Sequence, residues 1–334
     1  MLSIGFSVHD MARIRFALSC LWEVVASLRV LADPAGHAVH LPWVARVRPA
    51  LAAAGFRPGS PDRWLTRLVP PVGRIPDFLN PPPATLTADL AAELAALRAT
   101  PAEVVRGDLA VLDAADRRAL RDLYDDPATG LDRLADEVEE YWRLAVAPYW
   151  PRIRTLLEAE VFQRARRLTE DGAEGLLNDL HQRVRWEDDT LSITHRFCSA
   201  DTTGHGTGLL LIPSVFVWPS VLSVTCGGSG DRAVAQPQLA YPARGIATLW
   251  ESGGGGSAAL TAVLGRTRAA LLAALESPLS TTELARHAGL SPGGISQQLG
   301  MLRAAGLVTT HRAGHAVLNT RTPVAEALLS AAGS

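Results

Sequence analysis

Aromatic residues stop abruptly in this chain. All eight Trp, seven Phe and four Tyr lie at or before Trp250, and residues 259–334 contain none. Between the two parts stands "ESGGGGSAAL", whose glycine run reads as a hinge with no side chains to pack. Such a chain cannot build one continuous core. The first part must pack aromatic rings, and the tail must close on aliphatic side chains alone. At 334 residues there is length for two domains. The expected division is residues 1–251 for an N-terminal sensing or dimerisation region, 252–258 for the linker and 259–334 for the tail.

The tail carries the most specific pattern. In "AALTAVLGRTRAALLAALES", Leu260, Val263, Leu264, Leu271, Leu272 and Leu275 fall on one helical face. Ser280 and Glu283 have capping-box spacing and start a second helix, which Gly289 can end. Ser291 then caps a third helix with Pro292 in its first position. Ile295, Leu299 and Leu302 point inward there, and Ser296, Gln297, Gly300 and Arg303 point outward. After Gly306, "LVTTHR" and "HAVLNTR" flank Ala313-Gly314 as the two strands of a hairpin. This is a helix-turn-helix followed by a wing.

An α-helix fits the major groove of double-stranded DNA, where amide and hydroxyl side chains read base edges. Gln297 or Gln298 has the donor and acceptor pair that matches adenine. Gly293 and Gly294 let the backbone approach a phosphate closely. Charge points the same way. Six Arg (266, 268, 286, 303, 312 and 321) and three Glu give residues 259–334 a local charge of +3 within a net charge of −2. The missing aromatics argue against a single-strand binder, which needs rings on which to stack bases.

The run "TTELARHAGLSPGGISQQLGMLRAAGLVTTHRAGHAVLNTRTP" resembles the winged helix-turn-helix regulators of the ArsR type. Ser296-Gln297-Gln298-Leu299 matches that family's S-R/Q-H-L element, with Gln298 where His is usual, and the wing has His315 where Arg is common. The resemblance implies a homodimer whose DNA binding is imposed or released by a small-molecule effector. The expected function is a cytoplasmic transcriptional regulator, most simply a repressor, with no enzymatic activity, cofactor or metal. The expected DNA-binding set is Thr281, Ser291, Gly293, Gly294, Ser296, Gln297, Gln298, Arg303, Arg312 and His315.

The N-terminal part looks like the long region of undefined function that accompanies this motif in some actinobacterial regulators. Its pattern is helical to about residue 182, with Thr100 as a cap before Pro101 and amphipathic runs in "SCLWEVVASLRVLADP", "VLDAADRRALRDLYDD" and "LADEVEEYWRLAV". Between residues 183 and 251 the period changes to two around an Asp188-Asp189 turn, which predicts a small antiparallel sheet. The fold class is therefore mainly α with a small antiparallel β element (α+β), ending in the winged helix. Trp22, Trp43, Trp64, Trp142, Trp150, Trp186, Trp218 and Trp250 have two uses open to them, an apolar ligand pocket or an ordinary core.

Other chemistries have weaker support. Cys20, Cys198 and Cys226 are too few and scattered for a disulfide framework. His195, Cys198, His205 and Cys226 lack a paired ligand element, so a metal-sensing site is not expected. "DTTGHGTG" sets Asp201 and His205 beside glycines that could cradle an anion, but no strand-to-helix context follows. A winged helix used only for protein contacts is the alternative to a DNA reader. No apolar run is long enough for a membrane span or a leader.

Overall fold

The computed structural model describes residues 2–57, 60, 62–194, 200–203, 206–224, 236–250, 260–275, 278–288, 290–313 and 316–332. The chain divides into two compact units, Met1–Ile246 and Ala247–Ser334. It is mainly helical with small sheets. Residues 252–258, the expected linker, lie outside the described residues, as do His195, Cys198, His205, Cys226 and Gly289.

The helix Cys20–Ala32 runs through the middle of the first unit. Ser19 caps it, its hydroxyl accepting from the Trp22 amide at 3.1 Å, and it stops before Pro34 as the sequence predicts. Burial goes further than one face. Nearly every residue from Cys20 to Leu31 is buried, Glu23 among them, because other elements pack around the helix on several sides. The helix Pro127–Ala145 is the clearest amphipathic neighbour, burying Leu131, Leu134, Val138 and Tyr141. Trp22, Trp43, Trp64 and Trp186 are all buried, and the indoles of Trp22 and Trp43 donate to Gln238 Oε1 (3.0 Å) and the Ala145 carbonyl (2.9 Å). Trp22, Trp43 and Trp64 are core rings, whereas Trp186 is buried but also borders an open cleft.

Two local expectations need correction. Pro101 is the residue before the helix Ala102–Ala110 rather than its first member, so Thr100 makes no cap there. "VLDAADRRALRDLYDD" forms two short helices, Ala114–Ala119 and Arg121–Asp125, because Leu120 leaves helical geometry (φ −100°, ψ 18°) between them. The long helix Trp150–Asn178 changes direction at Gly172, whose φ of +70° suits a residue without Cβ.

Among the described residues of this unit the strands form two four-stranded mixed sheets, where the alternation predicts one antiparallel sheet. In the first, Val184–Glu187 and Thr190–Ile193 make the expected hairpin, with Asp188 and Asp189 at positive φ (48° and 55°) as a two-residue turn needs. The N-terminal strand Leu2–Gly5 then pairs antiparallel with Thr190–Ile193 and parallel with Ala200–Thr203. Val184–Glu187 is an edge strand, and the Asn178 side chain bonds both the amide (2.8 Å) and the carbonyl (3.2 Å) of Trp186. In the second sheet, Arg15–Phe16, Leu210–Ser214 and Gln238–Pro242 run parallel, and Leu222–Val224 closes antiparallel on the last. Parallel neighbours need long crossover connections, and the helices between residues 20 and 178 supply one.

Internal carboxylates tie this unit together. Gly208 donates its amide to Asp10, Val215 and Phe216 donate to Glu23, Phe78 to Asp108 and Leu65 to Glu137. All four acids are buried. Peptide dipoles stand in for the water that an ionised carboxylate would lose. The Gly208 amide in "DTTGHGTG" thus already serves an internal anion.

Candidate nucleic-acid interface

In the second unit the capping box forms as spaced. Glu283 Oε2 accepts from the Ser280 amide (2.8 Å) and hydroxyl (2.7 Å), while the Glu283 amide donates to Ser280 Oγ (3.3 Å). These bonds hold the Glu283 carboxyl below its usual range. The helix Thr281–Ala288 follows, with Thr281 half-buried at its start and Arg286 exposed. Ser291 caps the next helix, Pro292–Ala304, by accepting from the Gly294 amide at 3.2 Å, and Pro292 occupies its first turn. Ile295, Leu299 and Leu302 are buried in a core with Leu271, Leu272, Leu284 and Leu307.

That burial fixes what faces out. Ser291, Gly293, Ser296 and Gln297 are exposed, and Gly294 and Gln298 are half-buried. Apart from Arg303, which lies in the last turn, the expected residues of the third helix therefore gather on its N-terminal half. A Cβ added at Gly293 or Gly300 would meet nothing within 4 Å, so packing does not require glycine at either position.

The wing forms by antiparallel pairing of Val308–Ala313 with Ala316–Arg321, in a register from Val308↔Arg321 to Ala313↔Ala316. Arg312 stands opposite Val317 in this hairpin. His315 lies outside the described residues, so its place in the set has no geometry attached. Arg303 is exposed, but it turns toward the wing, its Nη1 donating to the Thr310 hydroxyl at 3.4 Å. Arg321 is committed elsewhere. Its Nε and Nη2 donate to the carbonyls of Leu272 (2.7 Å) and Ala273 (2.6 Å), closing the C-terminal end of the helix Arg266–Ala274. It therefore adds less to an outward positive field than its formal charge suggests.

The first helix of this unit differs from its expected form. Gly265, at φ +81°, interrupts it before Arg266, and Val263 is 80% exposed instead of sharing the buried face of Leu260 and Leu271. The sequence reading misses two elements. Leu279–Ser280 pairs with Leu318 and Asn319 as a third strand, and Pro323–Ala332 is a helix whose start is capped by Thr322 Oγ1, accepting from the Ala325 amide at 3.3 Å. A Thr-Pro start signal stood at 322–323 and announced that helix.

Among the described residues no group of three or more His, Cys, Asp or Glu could hold a metal ion. An open cleft of about 750 Å³ lies in the first unit beside the 188–189 turn, lined by Glu174, Asn178, His181, Arg185 and Trp186 among others. It is largely polar and takes only one of the eight tryptophans.

Two family models match separate parts of the chain. Residues 264–311 match the model described as "Helix-turn-helix domain", and residues 82–245 match a "Family of unknown function (DUF5937)". No curated protein and no solved structure gives a significant match. The helix-turn-helix match takes in the helices Arg266–Ala274, Thr281–Ala288 and Pro292–Ala304 and enters the wing. The chain carries a C-terminal helix-turn-helix domain of an ArsR-like kind behind an N-terminal region of unknown function.

Proposed function

We propose that this chain is a homodimeric transcriptional repressor that binds double-stranded DNA through residues 259–334, with the N-terminal region sensing a small molecule or partner. The observation that carries the proposal is the outward placement of Ser291, Gly293, Ser296 and Gln297 on a helix whose other side is locked into the core. A helix presented in this way enters the major groove with its first two turns against the bases. Half-buried Leu264, Leu328 and Leu329 at the margin of the same core offer apolar surface to a second copy. The sensing role rests on the resemblance and on the size of the first unit. No helix of the described residues is long and apolar enough to cross a membrane, which agrees with a cytoplasmic regulator.

Selection of duplexes from a random pool by the full chain tests this reading. A recovered sequence with two half-sites whose centres lie about 10 base pairs, or a multiple, apart is expected for a dimer. Recovery of no preferred duplex, with binding equally weak on all sequences, would overturn it.

A further inference from the structure

Among the described residues, the core of the winged domain reaches the wing only at its base. Leu307 and Val308 belong to it, whereas Thr309, Thr310, His311, Val317 and Leu318 do not. The buried residue in the middle of the second wing strand is a polar one, Asn319, at 2% exposure. Both ends of its amide are used. Oδ1 accepts from the Thr310 hydroxyl at 3.3 Å, and Nδ2 donates to the Leu279 carbonyl at 3.2 Å. Thr310 in turn accepts from Arg303 Nη1 at 3.4 Å. A continuous chain of directional bonds therefore runs from the third helix, across both wing strands, to the short strand that precedes Thr281–Ala288.

An apolar side chain at position 319 would bury as well and bring no polar group of its own, but it would take these partners from the Thr310 hydroxyl and the Leu279 carbonyl and fix no direction. Hydrogen bonds hold one angle, and apolar contact tolerates several.

We propose that Arg303, Thr310 and Asn319 form a relay that sets the pitch of the wing against the recognition helix, making Asn319 a positioning residue for duplex binding. The proposal rests on the DNA-binding reading for its purpose, and on the three bonds for its existence. It also reassigns Arg303. The guanidinium acts on the duplex through the wing, and its expected place as a direct contact gives way to a supporting one.

The test is amide hydrogen exchange of the full chain, read peptide by peptide, for wild type, Asn319→Leu, Thr310→Val and Thr310→Ser. The leucine and valine variants keep approximate volume and break the relay, and the serine variant keeps the hydroxyl. Peptides from 308–321 should exchange about tenfold faster in the first two variants and near the wild-type rate in the third, with 292–304 unchanged. If Asn319→Leu speeds exchange throughout 266–304, that variant has lost the fold, and the contrast between valine and serine at 310 decides. Wild-type wing rates in both Asn319→Leu and Thr310→Val overturn the relay. On a duplex that the wild type binds, Thr310→Val should also lower the salt slope by about 1, and an unchanged slope removes the wing from the interface. Wild type that binds no duplex, with the exchange pattern intact, ends the DNA reading and leaves the relay standing.

Discussion

Glu93 places its carboxylate on the amide of Cys20 at 2.9 Å, although the two residues are 73 positions apart. The same carboxylate also receives the Leu21 amide (3.1 Å) and the Ser19 hydroxyl. The first turn of the helix Cys20–Ala32 thus finds its hydrogen-bond acceptor inside the protein.

Glu93→Ala removes that acceptor and leaves three buried donors unpaired. The loss should be about 3 kcal/mol or more of stability, read as a lower midpoint in urea unfolding of the full chain. Glu93→Gln retains one acceptor oxygen and should lose less. Equal losses in the two variants would mean that the site is filled for packing alone.

Glu23 gives a dependence on pH. Burial raises its carboxyl from 4.5 to about 7, against the lowering effect of the Val215 and Phe216 amides. The folded chain therefore keeps a proton that the unfolded chain releases above about pH 4.5, so this contribution is full below that value. It is lost as pH rises toward 7, to an extent on the order of 3 kcal/mol. Glu93 and Asp77 are raised as well and act in the same direction, whereas His40, lowered to about 3 by burial, acts in the opposite one. The difference between wild type and Glu23→Gln isolates the group. The variant should gain relative stability between about pH 5 and about pH 8, and a constant difference across that range would contradict the burial of an ionisable Glu23.

Gly300 sits inside a helix where a Cβ meets nothing. Gly300→Ala should therefore stabilise the winged domain by roughly 0.5–1 kcal/mol. If the outer face of this helix lies against DNA, the added methyl should also weaken duplex binding about tenfold or more. Melting and titration of one variant thus separate the needs of the fold from those of the partner. A gain in both would place position 300 outside the interface.

Gln297→Ala should cost roughly 1–3 kcal/mol on the preferred duplex and little on a scrambled one. Equal losses on the two duplexes would mean that Gln297 reads no base.

Arg312 and Arg321 predict opposite outcomes from the same substitution. Arg312→Ala should lower the salt slope of duplex binding by about 1 and leave stability nearly unchanged. Arg321→Ala should cost about 1–2 kcal/mol of folding stability, since it frees the Leu272 and Ala273 carbonyls, with no change in slope. Salt titration beside thermal melting of each variant checks both.

What could be read from the sequence was local. Ser280 with Glu283, Ser291 with Pro292, and Asp188-Asp189 each settle a few neighbouring residues through bonds of short reach, and each forms as spaced. Distant partners left no such mark. Leu2–Gly5 enters a sheet beside residues 190–193 and 200–203, and nothing in its four residues names those neighbours. The tryptophans illustrate a second limit. A ligand pocket and a core demand the same apolar rings, and only the packing of Trp22, Trp43 and Trp64 distinguishes the two. In the candidate interface, the outward face of the third helix was legible from periodicity. The turn of Arg303 toward Thr310 was not, because a long side chain of this kind has many rotamers and its partner lies on another element.

The Asn178 amide at Trp186 has a consequence for the molecule among its copies. A free edge of a sheet is a template, and an extended segment of another chain completes it by offering an amide and a carbonyl in the right places. Asn178 offers both from within, so the border of this sheet is already occupied at Trp186. Crowded chains, newly made or concentrated in a tube, find no invitation there to add strand upon strand.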